Sequence, residues 1–142
     1  VAGGSAPGQV RVVADHLNVS GGSLFPAPGM VSAGWDATLT ERLGSLRGVS
    51  GSSVVALVPG PLRPSPAESR ALVSLGADAA VTDSVAEAMV LASRGVAVSA
   101  LTYLDAPAAG GNLGRAQLSL RQASGVTLAA VEEILRSLRA GS

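Results

Sequence analysis

The chain has 142 residues, enough for one domain with a core of its own. Its ten basic residues balance ten acidic ones, none of them is lysine, and only 14% of positions are charged, which argues against the clustered cationic surface that nucleic acid or an anionic membrane requires. It has no cysteine, so disulfides, thiolate metal sites and cysteine nucleophiles are excluded, and no apolar run reaches the ~20 residues that span a bilayer.

Taken in order, residues 1–9 are rich in Gly, Ala, Ser and Pro and read as a flexible lead-in to a single α/β domain over 10–142. Val10–Ala14 reads as a first strand ending at Asp15-His16. His16 is the sole histidine, and no motif sets a nucleophile or second metal ligand beside it. The Gly/Pro/Ser-rich loop from Ser20 to Gly34 carries Leu24, Phe25 and Met30, and Phe25 has two readings: an anchor within the chain, or a side chain entering a neighbouring subunit. Asp36 is expected to cap a helix with Leu39, Leu43 and Leu46 on one side.

The organising unit is Ser53–Tyr103. Val54–Val58 reads as a strand, Pro59-Gly60-Pro61 as a turn, and Ser65-Pro66 as the cap and first position of a helix whose buried stripe is Ala67, Ala71, Leu72 and Leu75. Ala79–Val81 follows as a second strand. Ser84 with Glu87 forms an S-x-x-E capping pattern ahead of a helix with Ala88, Met89, Leu91 and Ala92 on its apolar side. Val96–Leu101 closes the β-α-β-α-β series. Small and β-branched runs without polar alternation suit strands buried on both faces, so the expected fold is three-layered: a parallel or mixed central sheet flanked by helices. Ligands of such sheets sit at the carboxyl ends of the strands, here Pro59–Ser65, Val81–Ser84 and Thr102–Ala106. Asp83 at one of those ends suits a sugar hydroxyl or an amine, and equally a solvated helix cap.

Residues 105–112 read as a connector, Leu118–Ala123 as a short helical stretch, and Thr127 as the cap of a last helix. On that helix Leu128, Val131, Ile134, Leu135 and Leu138 form one apolar stripe, with Glu132 and Arg136 as an i,i+4 pair. With a mean hydropathy of +0.42, two readings stand: a face hidden in an oligomer, or an Ala/Gly/Val-rich composition with no such meaning. A cytoplasmic setting is expected, since no signal peptide is visible.

Five segments in sequence resemble the purine nucleoside and methylthioadenosine phosphorylases. Gly60–Ser69 with Leu75–Asp78 and Ser84–Glu87 looks like a run in that family's second half. Asp15–Gly21 is similar to its DHINLTG segment, and Gly34-Trp35-Asp36 falls at its A-Y-D. The resemblance covers about Val10–Arg139 and implies the nucleoside-binding half alone. It implies Asp105 as the catalytic partner of the purine, Arg63, Ser65, Val81, Thr82, Asp83 and Tyr103 as substrate contacts, and His16 and Phe25 near subunit contacts. It implies no metal or cofactor, inorganic phosphate as co-substrate, a purine nucleoside ligand, and either a second chain supplying the phosphate-binding half or a homo-oligomer.

The chain departs from the family where Pro64 stands for a base-binding glutamate and Thr82 for a ribose-packing methionine, and a strict alignment puts Ala106 at the position of the purine partner. The loop looks closer to the adenosine and methylthioadenosine branch. Three functions stay open at this point: one subunit of a split phosphorylase, a non-catalytic scaffold or regulatory member of the fold, and an enzyme that reuses the cleft for another ligand.

Overall fold

The computed structural model describes residues 8–22, 34–60, 63–104 and 120–140. Its elements are β1 (Val10–Asn18), α1 (Ala37–Gly44), β2 (Val49–Leu57), α2 (Pro66–Ser74), β3 (Ala79–Val81), α3 (Val85–Ser93), β4 (Leu101–Tyr103) and α4 (Leu120–Ala140). The four strands form one mixed sheet in the order β3-β2-β1-β4. β1, β2 and β3 run parallel, and β4 runs against β1, pairing Val10 with Tyr103 and Val12 with Leu101. Helices cover both faces, as the unalternating apolar runs require.

Alternation along β1 and β2 sorts the core. Val13, Val55 and Leu57 face α3, where they pack with Val85, Ala88, Met89 and Trp35. Val12, Leu17 and Ala56 point the other way: Val12 packs with Leu43 of α1 and Ala130 of α4, and Ala56 packs with Val58, Ala77 and Leu72 of α2. The sheet thus lies between α3 on one side and α1, α2 and α4 on the other.

Two irregularities interrupt the β1–β2 ladder. Val10 pairs with Val49 but Val12 with Ser52, so β2 carries an extra residue; Val13 pairs with Ser53 but Asp15 with Val54, so β1 carries one too. Gly51, at φ +115, supplies the backbone angle for the first. Ala14 is the extra residue of the second. After both, the register returns to its starting offset, and Asn18 pairs with Leu57.

Several sequence expectations change. The fourth strand is antiparallel and starts at Leu101, while Val96–Ala100 lies outside it. Strand direction follows from which edge of the sheet is free, which no local pattern encodes. Gly8 and Gln9, read as part of the lead-in, hydrogen-bond to Leu104 and extend the β1–β4 pairing. α4 is one helix from Leu120, and Thr127 lies inside it with Oγ1 donating to the Ala123 carbonyl at 3.2 Å, rather than capping it.

The helix faces also differ from expectation. On α4 the residues against the body are Ala123, Ala130 and Ile134, whereas Leu128, Val131, Leu135 and Leu138 are exposed. Small side chains allow the close approach of helix to sheet, and the leucines are left outside. Arg136 pairs with Glu133 at 2.5 Å, not with Glu132. On α2 it is Ser69 and Leu72 that face inward, and Leu75 is 63% exposed because it follows the last helical turn. On α3, Val85 joins Ala88 and Met89 in the core while Leu91 is exposed.

Candidate functional site

The carboxyl ends of β1, β2 and β3 share one edge of the sheet. Chain order reverses between β1 and β4, so the crevice that such sheets use for ligands falls beside the carboxyl end of β1. Three loops leave this edge. Val19 N–H donates to the Leu57 carbonyl at 3.0 Å and Val58 N–H to the Val81 carbonyl at 2.9 Å, which ties the ends together.

After β1, Asn18 organises the turn. Its Nδ2 donates to the Gly22 carbonyl at 2.6 Å, and its Oδ1 accepts from Ser20 Oγ at 2.7 Å and Ser20 N–H at 3.2 Å. After β2, Gly60 lies on the loop after β3: a Cβ there would stand 3.1 Å from the Cβ of Thr82. After β3, Thr82, Asp83 and Ser84 are exposed. Ser84 has φ 66 and ψ −27 and is the one non-glycine residue with positive φ among those described. Its turn is closed by Val85 N–H donating to the Asp83 carbonyl at 2.8 Å. A β-carbon in this region is strained by about 1–3 kcal/mol. The consequence is that Ser84 makes no side-chain cap to α3; its hydroxyl donates to Asp83 Oδ1 at 3.2 Å instead. The capping box expected at Ser84 and Glu87 is therefore absent.

That box forms one helix earlier. Ser65 Oγ accepts from Glu68 N–H at 3.3 Å, and Glu68 Oε2 accepts from Ser65 N–H at 2.7 Å. The Ser65 N–H bond first, then the Ser65 hydroxyl, hold the Glu68 carboxyl below its ordinary range, although the group is fully exposed. The Ser65 hydroxyl, a candidate substrate contact, is thus used in capping α2.

The other candidates divide. Thr82 and Asp83 stand together at the β3 end, and Arg63 is exposed on the same edge, in the segment that leads from β2 to α2. Val81 is half-buried and packs against the α3-side core. Tyr103 does not join them: it pairs with Val10, at the amino end of β1 and the opposite edge of the sheet, a direct result of the reversed strand. His16 is half-buried on the α3 face, where its Nδ1 accepts from Trp35 Nε1 at 3.2 Å. Asp105 and Phe25 lie outside the described residues.

Two structural contributors had no sequence signal strong enough to single them out. Asp78 Oδ2 accepts from Val54 N–H at 2.8 Å, and Asp78 N–H returns a bond to the Val54 carbonyl at 2.8 Å, fixing β3 beside β2. Asn18 belongs to the Asp15–Gly21 segment that resembles the family, with nothing local to set it apart from its neighbours there. Among the described residues there is no group of three or more His, Asp or Glu side chains able to hold a metal ion. An open depression of about 400 Å³, lined by Glu41, Arg42, Ser45, Leu46 and Glu133, lies between α1 and α4 near the start of β2, away from the carboxyl edge.

Chemically, the edge offers an exposed carboxylate and hydroxyl that can hold sugar hydroxyls or an exocyclic amine, and an arginine that can face an anion.

No protein-family model and no curated protein matches the sequence. Solved structures do. A Schistosoma purine nucleoside phosphorylase in complex with hypoxanthine is similar over 91% of this chain and 56% of its own, at 19% identity and a TM-score of 0.70. The Schistosoma mansoni purine nucleoside phosphorylase in complex with inosine is similar over 96% of this chain and 54% of its own, at 18% identity and a TM-score of 0.62. A purine nucleoside phosphorylase in complex with ribose-1-phosphate is similar over 91% and 52%, at 20% identity and a TM-score of 0.65. The chain has a nucleoside phosphorylase-like fold and spans about half the length of these proteins.

Proposed function

We propose that this chain is the nucleoside-binding half of a purine nucleoside phosphorylase of the adenosine or methylthioadenosine type, acting with a second polypeptide that supplies the phosphate site. The observation that carries the reading is the match itself: nine-tenths of this chain corresponds to about half of each phosphorylase, with Thr82 and Asp83 exposed at the strand ends. Phosphorolysis needs an anion site for phosphate, groups that hold the ribose, and a polar partner for the purine as it takes up charge on cleavage of the glycosidic bond. In this reading Asp83 accepts a sugar hydroxyl, Arg63 faces the anion across an interface, and Asp105 holds the purine. Inorganic phosphate is the co-substrate, and the setting is cytoplasmic.

A non-catalytic scaffold is the second reading, and two observations favour it. The Ser65 hydroxyl is taken up by the α2 cap, and Tyr103 stands at the far edge of the sheet.

Native mass spectrometry of the untagged protein from its source, followed by a nucleoside-cleavage assay with and without phosphate, separates these. The split enzyme requires a different second chain and phosphate-dependent release of a free purine that Asp83→Ala or Asp105→Ala abolishes. A partner with no such activity supports the scaffold. A homo-oligomer without a second chain overturns the split-subunit reading.

A further inference from the structure

The chain contains a single histidine and a single tryptophan, and the fold brings the two together. The Trp35 indole N–H donates to His16 Nδ1 at 3.2 Å, with the rings edge to face, centroids 6.0 Å apart and planes at 82°. Trp35 is buried and His16 is partly open to solvent. A ring nitrogen that accepts a hydrogen bond carries no proton, so this contact exists only while Nδ1 is unprotonated. An imidazolium has N–H on both nitrogens and cannot accept.

We propose that this contact is a pH-sensitive clasp: neutral His16 holds Trp35, and with it the Gly34–Asp36 segment that leads into α1, against the carboxyl half of β1, and a proton taken up at Nδ1 releases the indole.

The carboxylates next to the pair in sequence are engaged elsewhere. From β1, the Asp15 carboxylate is turned to its own chain and takes the His16 backbone N–H at 2.8 Å. From the α1 side, Asp36 Oδ1 caps the helix at Leu39 N–H, 2.8 Å away. α3 brings Met89 to the same cluster and β2 brings Val55 and Leu57, none of which is charged. Release is local, because Asp36 N–H also donates to the Val98 carbonyl at 2.7 Å and keeps the start of α1 in place. The direction follows from the bond: only an imidazole without a proton on Nδ1 can accept from the indole, so protonation opens the clasp and deprotonation closes it.

One histidine and one tryptophan make the readout unambiguous. Tryptophan emission of the full chain is recorded from pH 8 to pH 5, with far-UV circular dichroism alongside. The expected result is one step of lost intensity and red shift with unchanged dichroism, absent in His16→Gln, whose amide oxygen accepts without titrating. Flat emission in the original protein, or a step that persists in His16→Gln, overturns the proposal. Should that variant not fold, nitrogen-15 NMR of the unsubstituted protein decides: an unprotonated Nδ1 at pH 8 that becomes protonated with the emission step supports the clasp, and a proton on Nδ1 at pH 8 overturns it.

Discussion

Asp78 shows how much one side chain can do for a strand of three residues. Its carboxylate and its backbone N–H both bond to Val54, so β3 is pinned to β2 at its first turn. Asp78→Ala leaves a half-buried N–H without that acceptor and is expected to cost about 1–2 kcal/mol in urea unfolding. Asp78→Asn keeps an oxygen in place and should cost less; equal losses would mean that charge, not the acceptor, matters. Gly34 gives a second residue-scale test. A Cβ there would lie 2.1 Å from Met89 Sδ, and Met89 is fully buried. Gly34→Ala therefore overpacks the core, with an expected loss of about 1–3 kcal/mol that Met89→Ala partly relieves in a double-mutant cycle. Neither role was legible beforehand. Asp78 reads as an ordinary turn residue, since its partner is 24 positions away, and Gly34 reads as loop, since Met89 reaches it only through the fold.

At the scale of elements, local chemistry was readable where it stays local. Asp36 and Ser65 cap α1 and α2 as their sequences predict. Two S-x-x-E patterns occur, Ser65–Glu68 and Ser84–Glu87, yet only the first forms a box, because the backbone at Ser84 is turned to positive φ by the tight exit from β3. The Ser65 box has a pH signature. A folded-state carboxyl held below its ordinary range contributes above its unfolded pKa, and the contribution is lost as pH falls through the folded value. Protection of the first-turn amides of α2, taken relative to the intrinsic exchange rate at each pH, should therefore fall in acid below the ordinary glutamate range, and Glu68→Gln should remove most of that dependence. α4 offers a test of opposite sign. Gly125 lies inside the helix with open space where a Cβ would go, so Gly125→Ala is expected to stabilise the protein by up to about 1 kcal/mol in thermal unfolding. The sequence showed the period of α4 but not its orientation, since the apolar residues outnumber those the sheet can receive and the small ones win the inner face.

For the whole molecule, the layered α/β class followed from the buried character of the runs, and the parallel pairing of β2 with β3 from the helix between them. The edge positions did not. β3 and β4 are short strands on opposite sides of a longer pair, and only the assembled sheet decides that β4 returns antiparallel and carries Tyr103 away from Asp83. The two extra residues in the β1–β2 ladder bear on how such a chain can change its length. Ala14 and Gly51 each displace one strand against the other by a single step, and the steps cancel. Each extra residue is absorbed where it stands: Val13 and His16, three positions apart, face the same side because Ala14 is unpaired between them. Deleting Ala14 or Gly51 therefore closes one irregularity and leaves the other pairings and facings as they are, whereas a one-residue deletion elsewhere in either strand inverts the inside–outside parity of everything beyond it. Loss of Ala14 or of Gly51 should give folded protein with a dichroism spectrum close to that of the full chain, and loss of Val13 or of Val55 should not. Length variation in this strand pair is thus confined to two positions that act as local slack.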